Sequence, residues 1–208
     1  FALMIASPFF AVYMLQELGF SYVSFMAVTI SASVFYLLFS PLIGKFSDRF
    51  GNVKLFYIAN FALVLTPILW TIFKSPIYLI IFPQLIAGIA TAAFIISTTN
   101  FTYDSVSPQR RGICITYTNL LGGIGMFLGP LLGGALLNFW HPTSLNPFFF
   151  IFFIAAGARL LAGIKFLPRI KDERKVKKLP SRPPLSIDLT NPFRIIQSEI
   201  GWFTKIFK

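Results

Sequence analysis

The chain has 208 residues, 56% of them hydrophobic and only 12% charged, about half the charged share of an ordinary soluble domain. That balance excludes a water-soluble globular fold, and the formal net charge of +11 must then be accommodated beside a membrane. A single Cys114 excludes an internal disulfide framework, and the lone His141 in a Pro/Ser/Asn stretch argues against a histidine-built metal site.

Six apolar runs follow one another, each read as a membrane helix, because about 20 residues at 1.5 Å rise cross the hydrocarbon core. They cover residues 1–15, 25–43, 55–73, 77–99, 113–139 and 148–167. The first is shortened at its start: the chain opens on Phe1 inside an apolar run, without an initiator methionine or basic leader, and reads as a fragment of a longer one. Turn chemistry fills the breaks, as at Lys74-Ser75-Pro76, Ser107-Pro108 and Asn146-Pro147. None of these breaks is long enough to be a domain linker. The expected architecture is all-α, with residues 1–167 forming one six-helix transmembrane bundle.

Charge orients the bundle. The segments after the second and fourth runs hold Lys45, Arg49, Lys54, Arg110 and Arg111, whereas those after the first, third and fifth hold only Lys74. Lysine and arginine enrichment marks the cytoplasmic side, so both ends of the segment are expected there. Residues 168–208 are basic and punctuated by Pro180, Pro183 and Pro184, and read as a cytoplasmic tail. Within that tail, Phe193, Ile196, Ile200, Phe203 and Phe207 recur at three- and four-residue steps. An amphipathic helix over 192–207, lying on the inner membrane surface, is one reading; a solvated tail with a few apolar residues is the other.

The stretch between the second and third runs reads Gly44-Lys45-Phe46-Ser47-Asp48-Arg49-Phe50-Gly51-Asn52-Val53-Lys54. Gly44, Asp48 and Gly51 fall at i, i+4 and i+7, one helical face if the second helix continues that far. Glycine at Gly44 would admit a neighbouring backbone, and an Asp48 carboxylate would seek a helix N-terminus, which the fifth helix supplies after Arg110-Arg111-Gly112. On residue types alone, a solvated turn is the better account of the stretch. The spacing Gly-x-x-x-Asp-Arg-x-Gly, placed between the second and third helices of a six-helix unit, resembles the signature loop of the major facilitator superfamily. Gly44, Asp48, Arg49, Gly51 and the trailing Lys54 match it, while Asn52 and Val53 stand where that family often has further basic residues.

The resemblance implies one half of that superfamily's fold and a secondary transporter that moves a small solute by alternating access. Its partners would be the lipid bilayer and a second six-helix half, with no cofactor, no enzymatic site and no nucleic acid. A multi-pass location in the plasma membrane follows. It also implies a conformational latch at Gly44, Asp48, Arg49, Gly51 and Lys54. The segment Tyr103–Gly112 looks like the family's second cytoplasmic loop, so Asp104, Arg110 or Arg111 is expected to pair with members of the first. A non-transporting membrane scaffold or sensor descended from such a half is the alternative. The first run, through Ser7-Pro8-Phe9-Phe10, looks like the family's seventh helix, which implies the C-terminal half; the strength of the signature loop points the other way.

The fifth helix carries Gly125, Gly129 and Gly133 at i+4 steps, a small-residue stripe suited to close helix packing. Pro130 beside them denies a hydrogen bond to the Met126 carbonyl and so permits bending. Gly125-x-x-x-Gly129-Pro130-x-x-Gly133 also resembles a motif of superfamily exporters, which implies a gating role beside the packing one. Arg159 is the one formal charge deep in a span, roughly 12 Å from the inner edge. It is expected to snorkel or to form a structural pair, and with Gln84 and Asn119 it is a candidate for the substrate path. Asn60 and Tyr36 are the remaining polar groups at that depth, and no acidic residue lies mid-helix.

Overall fold

A computed structural model of the chain describes residues 1–139 and 146–170. His141 and nearly all of the basic tail, including the amphipathic segment 192–207, lie outside the described residues. All regular structure among the described residues is helical, without a strand. Helix α1 is Ser7–Val12, continued by a π turn over Tyr13–Glu17. Then come α2 (Tyr22–Phe50), α3 (Asn52–Ile72) and α4 (Pro76–Ser105), the last interrupted by a π turn at Ile80–Gln84. Helices α5 (Arg111–Phe139) and α6 (Pro147–Phe166) complete the order. Five of these, α2 to α6, are long and apolar enough to cross a membrane. The run 1–15 instead divides into turns over the residues before Ser7 and the short α1.

Two boundaries differ from the sequence reading, for one reason. Helix α2 continues through Lys45–Phe50 and α4 through Asn100–Ser105, so the polar stretches taken for loops are the last turns of long helices. Charged residues remain good helix formers, and at a bilayer edge their side chains reach water without unwinding the backbone. The link between α2 and α3 is the single residue Gly51, at φ 94°, where a side chain is disfavoured. Its N–H still donates to the Ser47 carbonyl at 2.9 Å, which closes the last turn of α2.

Helix α4 is the centre of the bundle and packs most extensively on α2 and α3, while α3 also packs on α6. Helix α4 meets α2 closely at Gly88, where a Cβ would stand 2.6 Å from the Phe35 Cβ and 2.7 Å from the Ala32 carbonyl oxygen of α2. One core joins Ile5, Tyr13, Val28, Trp70, Leu79 and Phe152, with the Phe10 ring tilted against Trp70 (4.7 Å) and stacked on Phe152 (4.6 Å). A second, at the charged end, joins Leu55, Ala59 and Ala93. Helix α5 packs little on the other long helices, and its Ile113, Leu121, Met126 and Phe127 side chains are exposed.

Prolines inside the spans leave carbonyls that need other donors, because no water reaches them in hydrocarbon. Pro41 orphans the Leu37 carbonyl, and the Ser40 hydroxyl donates to it at 3.1 Å. Pro67 orphans the Leu63 carbonyl, and the donor is the guanidinium of Arg159 on α6. Arg159 therefore does not snorkel. It lies 6% exposed, with Nη1 donating to Leu63 O at 2.7 Å, Nη2 to Leu3 O at 3.1 Å and Nε to Ala2 O at 3.5 Å. The segment before α1 turns instead of coiling, which leaves those last two carbonyls open to a side-chain donor.

Candidate functional site

The charged ends of α2, α3 and α4 are tied by four polar side chains. Ser47 (3% exposed) donates its hydroxyl to the Asn52 Oδ1, and Asn52 (4% exposed) donates Nδ2 to the Asp104 carboxylate at 2.9 Å. Asn100 Nδ2 completes the set by donating to the Ser47 Oγ at 3.1 Å. Helix periodicity puts Asn100 and Asp104 one turn apart on one face of α4, and the Gly51 corner turns Asn52 back towards Ser47. Polar groups buried this deeply persist because each finds a partner. The network spans three helices, so their relative motion at this end must break or stretch it.

Asp104 meets the first charged stretch through Asn52. Asp48 does not join: it is exposed on α2, and no described residue bonds its carboxylate, including the N-terminus of α5. Gly44 also faces open space, with nothing within 4 Å of the place its Cβ would occupy, so no backbone of the described residues approaches there. Arg49 lies over the Phe50 ring at 5.4 Å. Arg111 covers the C-terminal end of α4, with Nη2 donating to Tyr103 O at 3.1 Å and the guanidinium 5.3 Å from the Tyr103 ring, a favourable place for a cation beside unpaired carbonyls. Arg110 is exposed.

The three glycines at i+4 steps on α5 are its buried residues, and they receive the leading segment of the chain. A Cβ at Gly125 would stand 2.8 Å from the Phe1 nitrogen, one at Gly129 2.6 Å from the Met4 Cβ, and one at Gly133 would collide with Ile5 O and Phe9. Helix α5 runs continuously through Pro130.

Two cavities lie deeper. The one nearer the charged end, about 560 Å³, is bounded by Asn60, Phe94, Ala162 and Lys165. The other, about 360 Å³, is bounded by Ser7, Thr29, Thr66, Trp70, Gln84 and Thr91. Leu3, Leu63 and Arg159 border both. Gln84 is tied across helices, its Nε2 donating to Val28 O on α2 at 2.7 Å, while Asn119 is exposed on α5. Sequence reasoning missed Ser47 and Asn100 as site residues and took Asn52 for a departure from a motif. Their signal was positional: three spans each carry a small neutral polar residue at the same depth.

These features define a multi-pass helical membrane protein with a polar tie at one end and mainly apolar cavities, bordered by Arg159, within its bundle. The chain belongs to the Major Facilitator Superfamily, whose family model matches residues 1–204. Among curated relatives, it is 33% identical over 100 residues to vacuolar basic amino acid transporter 2 of Saccharomyces cerevisiae, covering 48% of this chain and 21% of that protein. Multidrug export protein EmrB of Haemophilus influenzae is 28% identical over 125 residues, 60% of this chain and 24% of the relative. Multidrug resistance protein 1 of Bacillus subtilis is 27% identical over 139 residues, 67% and 34% respectively. The matched part of the chain thus spans about a fifth to a third of the relatives' length. No solved structure matches the chain.

Proposed function

We propose that this chain is a six-helix half, the C-terminal one, of a secondary active transporter that moves a small solute across the plasma membrane by alternating access. The observation that carries the reading is the family match over residues 1–204, joined to five span-capable helices. The transporter names of the relatives support the same reading. In this account the run 1–15 is the first, shortened span of the six, both ends of the segment face the cytoplasm, and a second half covers the exposed sides of α2 and α5.

The tie among Ser47, Asn52, Asn100 and Asp104 holds the cytoplasmic ends of α2, α3 and α4 together as one rocking unit. Asp48, exposed beside it, is the part of the latch that engages a helix end in one conformation and releases it in another, with Gly44, Arg49, Gly51, Lys54, Arg110 and Arg111 shaping the surface around it. The glycine stripe Gly125, Gly129 and Gly133 lets α5 slide against the leading segment, and Pro130 softens its backbone. Counterflow tests the reading: full-length protein in proteoliposomes, preloaded with unlabelled solutes from a panel of amino acids and amphiphilic drugs, should concentrate labelled solute transiently. A panel without one transported member would favour the scaffold alternative.

A further inference from the structure

Arg159 presents a problem in charge that its hydrogen bonds do not solve. Its three carbonyl acceptors are neutral, and no carboxylate among the described residues pairs with it. A buried cation without a counter-ion is costly in a low-dielectric interior, far more than the dipoles of three carbonyls offset. The guanidinium has five N–H donors and these bonds use three, so two donors remain. Both cavities border it, one on the side of Lys165 and one on the side of Gln84 and Trp70, so it stands where the two meet. Around the smaller cavity are Ser7, Thr29, Thr66 and Thr91 and the aromatic residues Phe10, Phe25 and Trp70.

Resting on the transporter reading, we propose that Arg159 is the anchor for a carboxylate carried by the solute. An oxyanion at the junction would supply the missing negative charge and accept the two remaining N–H donors in the forked geometry that arginine offers. The apolar lining of Met14, Phe25 and Ala87 would take an apolar or aromatic remainder. The ligand class is therefore a small organic carboxylate, free or zwitterionic. A solute bearing only positive charge is disfavoured.

Binding to the purified full-length protein in nanodiscs tests this. The probes are benzoate, indole-3-acetate and lysine, each measured beside its own amide, by scintillation proximity or calorimetry. Loss of a charge-assisted pair predicts that at least one acid binds about tenfold or more tightly than its amide. Arg159→Gln should abolish that preference, and Arg159→Lys should restore part of it; the acid-against-amide ratio in the unaltered protein stands even where Arg159→Gln fails to fold. Three acids binding no better than their amides, or a preference that survives in a folded Arg159→Gln, would overturn the assignment. Phosphatidylcholine discs and phosphate-free dodecyl maltoside micelles separate the sources of the oxyanion. Equal acid affinity in both supports a solute, and acid binding confined to the phosphate-free micelles would give the site to a phospholipid phosphate instead. Saturable acid binding without uptake by proteoliposomes would refute transport and leave this assignment standing; uptake that ignores the carboxylate would do the reverse.

Discussion

Replacing Gly88 by alanine adds one methyl group at the tightest crossing of α2 and α4, and the consequences follow from distances. The new Cβ would lie 2.6 Å from the Phe35 Cβ, 2.7 Å from the Ala32 carbonyl oxygen and 2.9 Å from the Tyr36 nitrogen. Two of those three atoms are backbone, so no rotamer change relieves them. An ordinary carbon contact needs about 3.5–4.0 Å, and the helices must separate by roughly 1 Å to reach it. Overpacking of this kind costs about 1–3 kcal/mol, more than the ~1 kcal/mol that alanine gains over glycine in a helix. Gly157→Ala on α6 is the matched control: nothing lies within 4 Å of its added methyl, so only the helix-propensity gain remains. Thermal unfolding of the two detergent-solubilised variants, followed by fluorescence size exclusion, should show Gly88→Ala melting several degrees below the parent and Gly157→Ala at or slightly above it. Equal melting of the two would refute the crossing geometry at Gly88.

Arg159→Met removes an uncompensated buried cation but leaves the Leu63 carbonyl without a donor; because Pro67→Ala returns a backbone N–H to that carbonyl, it should stabilise the Arg159→Met background by about 1–3 kcal/mol more than it does the parent, readable as a non-additive double-mutant cycle in thermal unfolding. Gly51→Ala forces a side chain into the positive-φ corner between α2 and α3 and should destabilise by about 1–2 kcal/mol in the same assay. Asp48→Asn should leave expression and insertion unchanged and slow counterflow several-fold, because the residue is exposed and its proposed role is conformational; turnover equal to the parent's would remove it from the latch. Gly129→Leu should lower both stability and transport, since its side chain would enter the space of Met4.

The spans from α2 to α6 were legible because lengths of apolar sequence between charged breaks have few other uses. The ends of α2 and α4 were not, because Lys45–Phe50 and Asn100–Ser105 carry the polarity of a loop and the backbone of a helix. Periodicity recovered the i+4 register of Gly125, Gly129 and Gly133, yet it could not tell that their neighbour is the chain's own leading segment. Gly88 and Gly163 are single glycines in apolar runs, without a pattern to mark them, and only packing reveals what they admit. Gly163 faces the amide of Asn60. The partner of Arg159 was half legible: an in-span proline always orphans the carbonyl four residues earlier, but which donor reaches the Leu63 carbonyl depends on the crossing of α3 and α6.

The most direct test concerns which way the polar corner faces. In a full-length protein lacking Cys114, single cysteines at Lys45, Lys74 and Arg110 would be exposed to a membrane-impermeant maleimide in intact cells. The account predicts that only the cysteine at position 74 reacts from outside, and that those at 45 and 110 react after permeabilisation. Labelling of position 45 or 110 in sealed cells would contradict it.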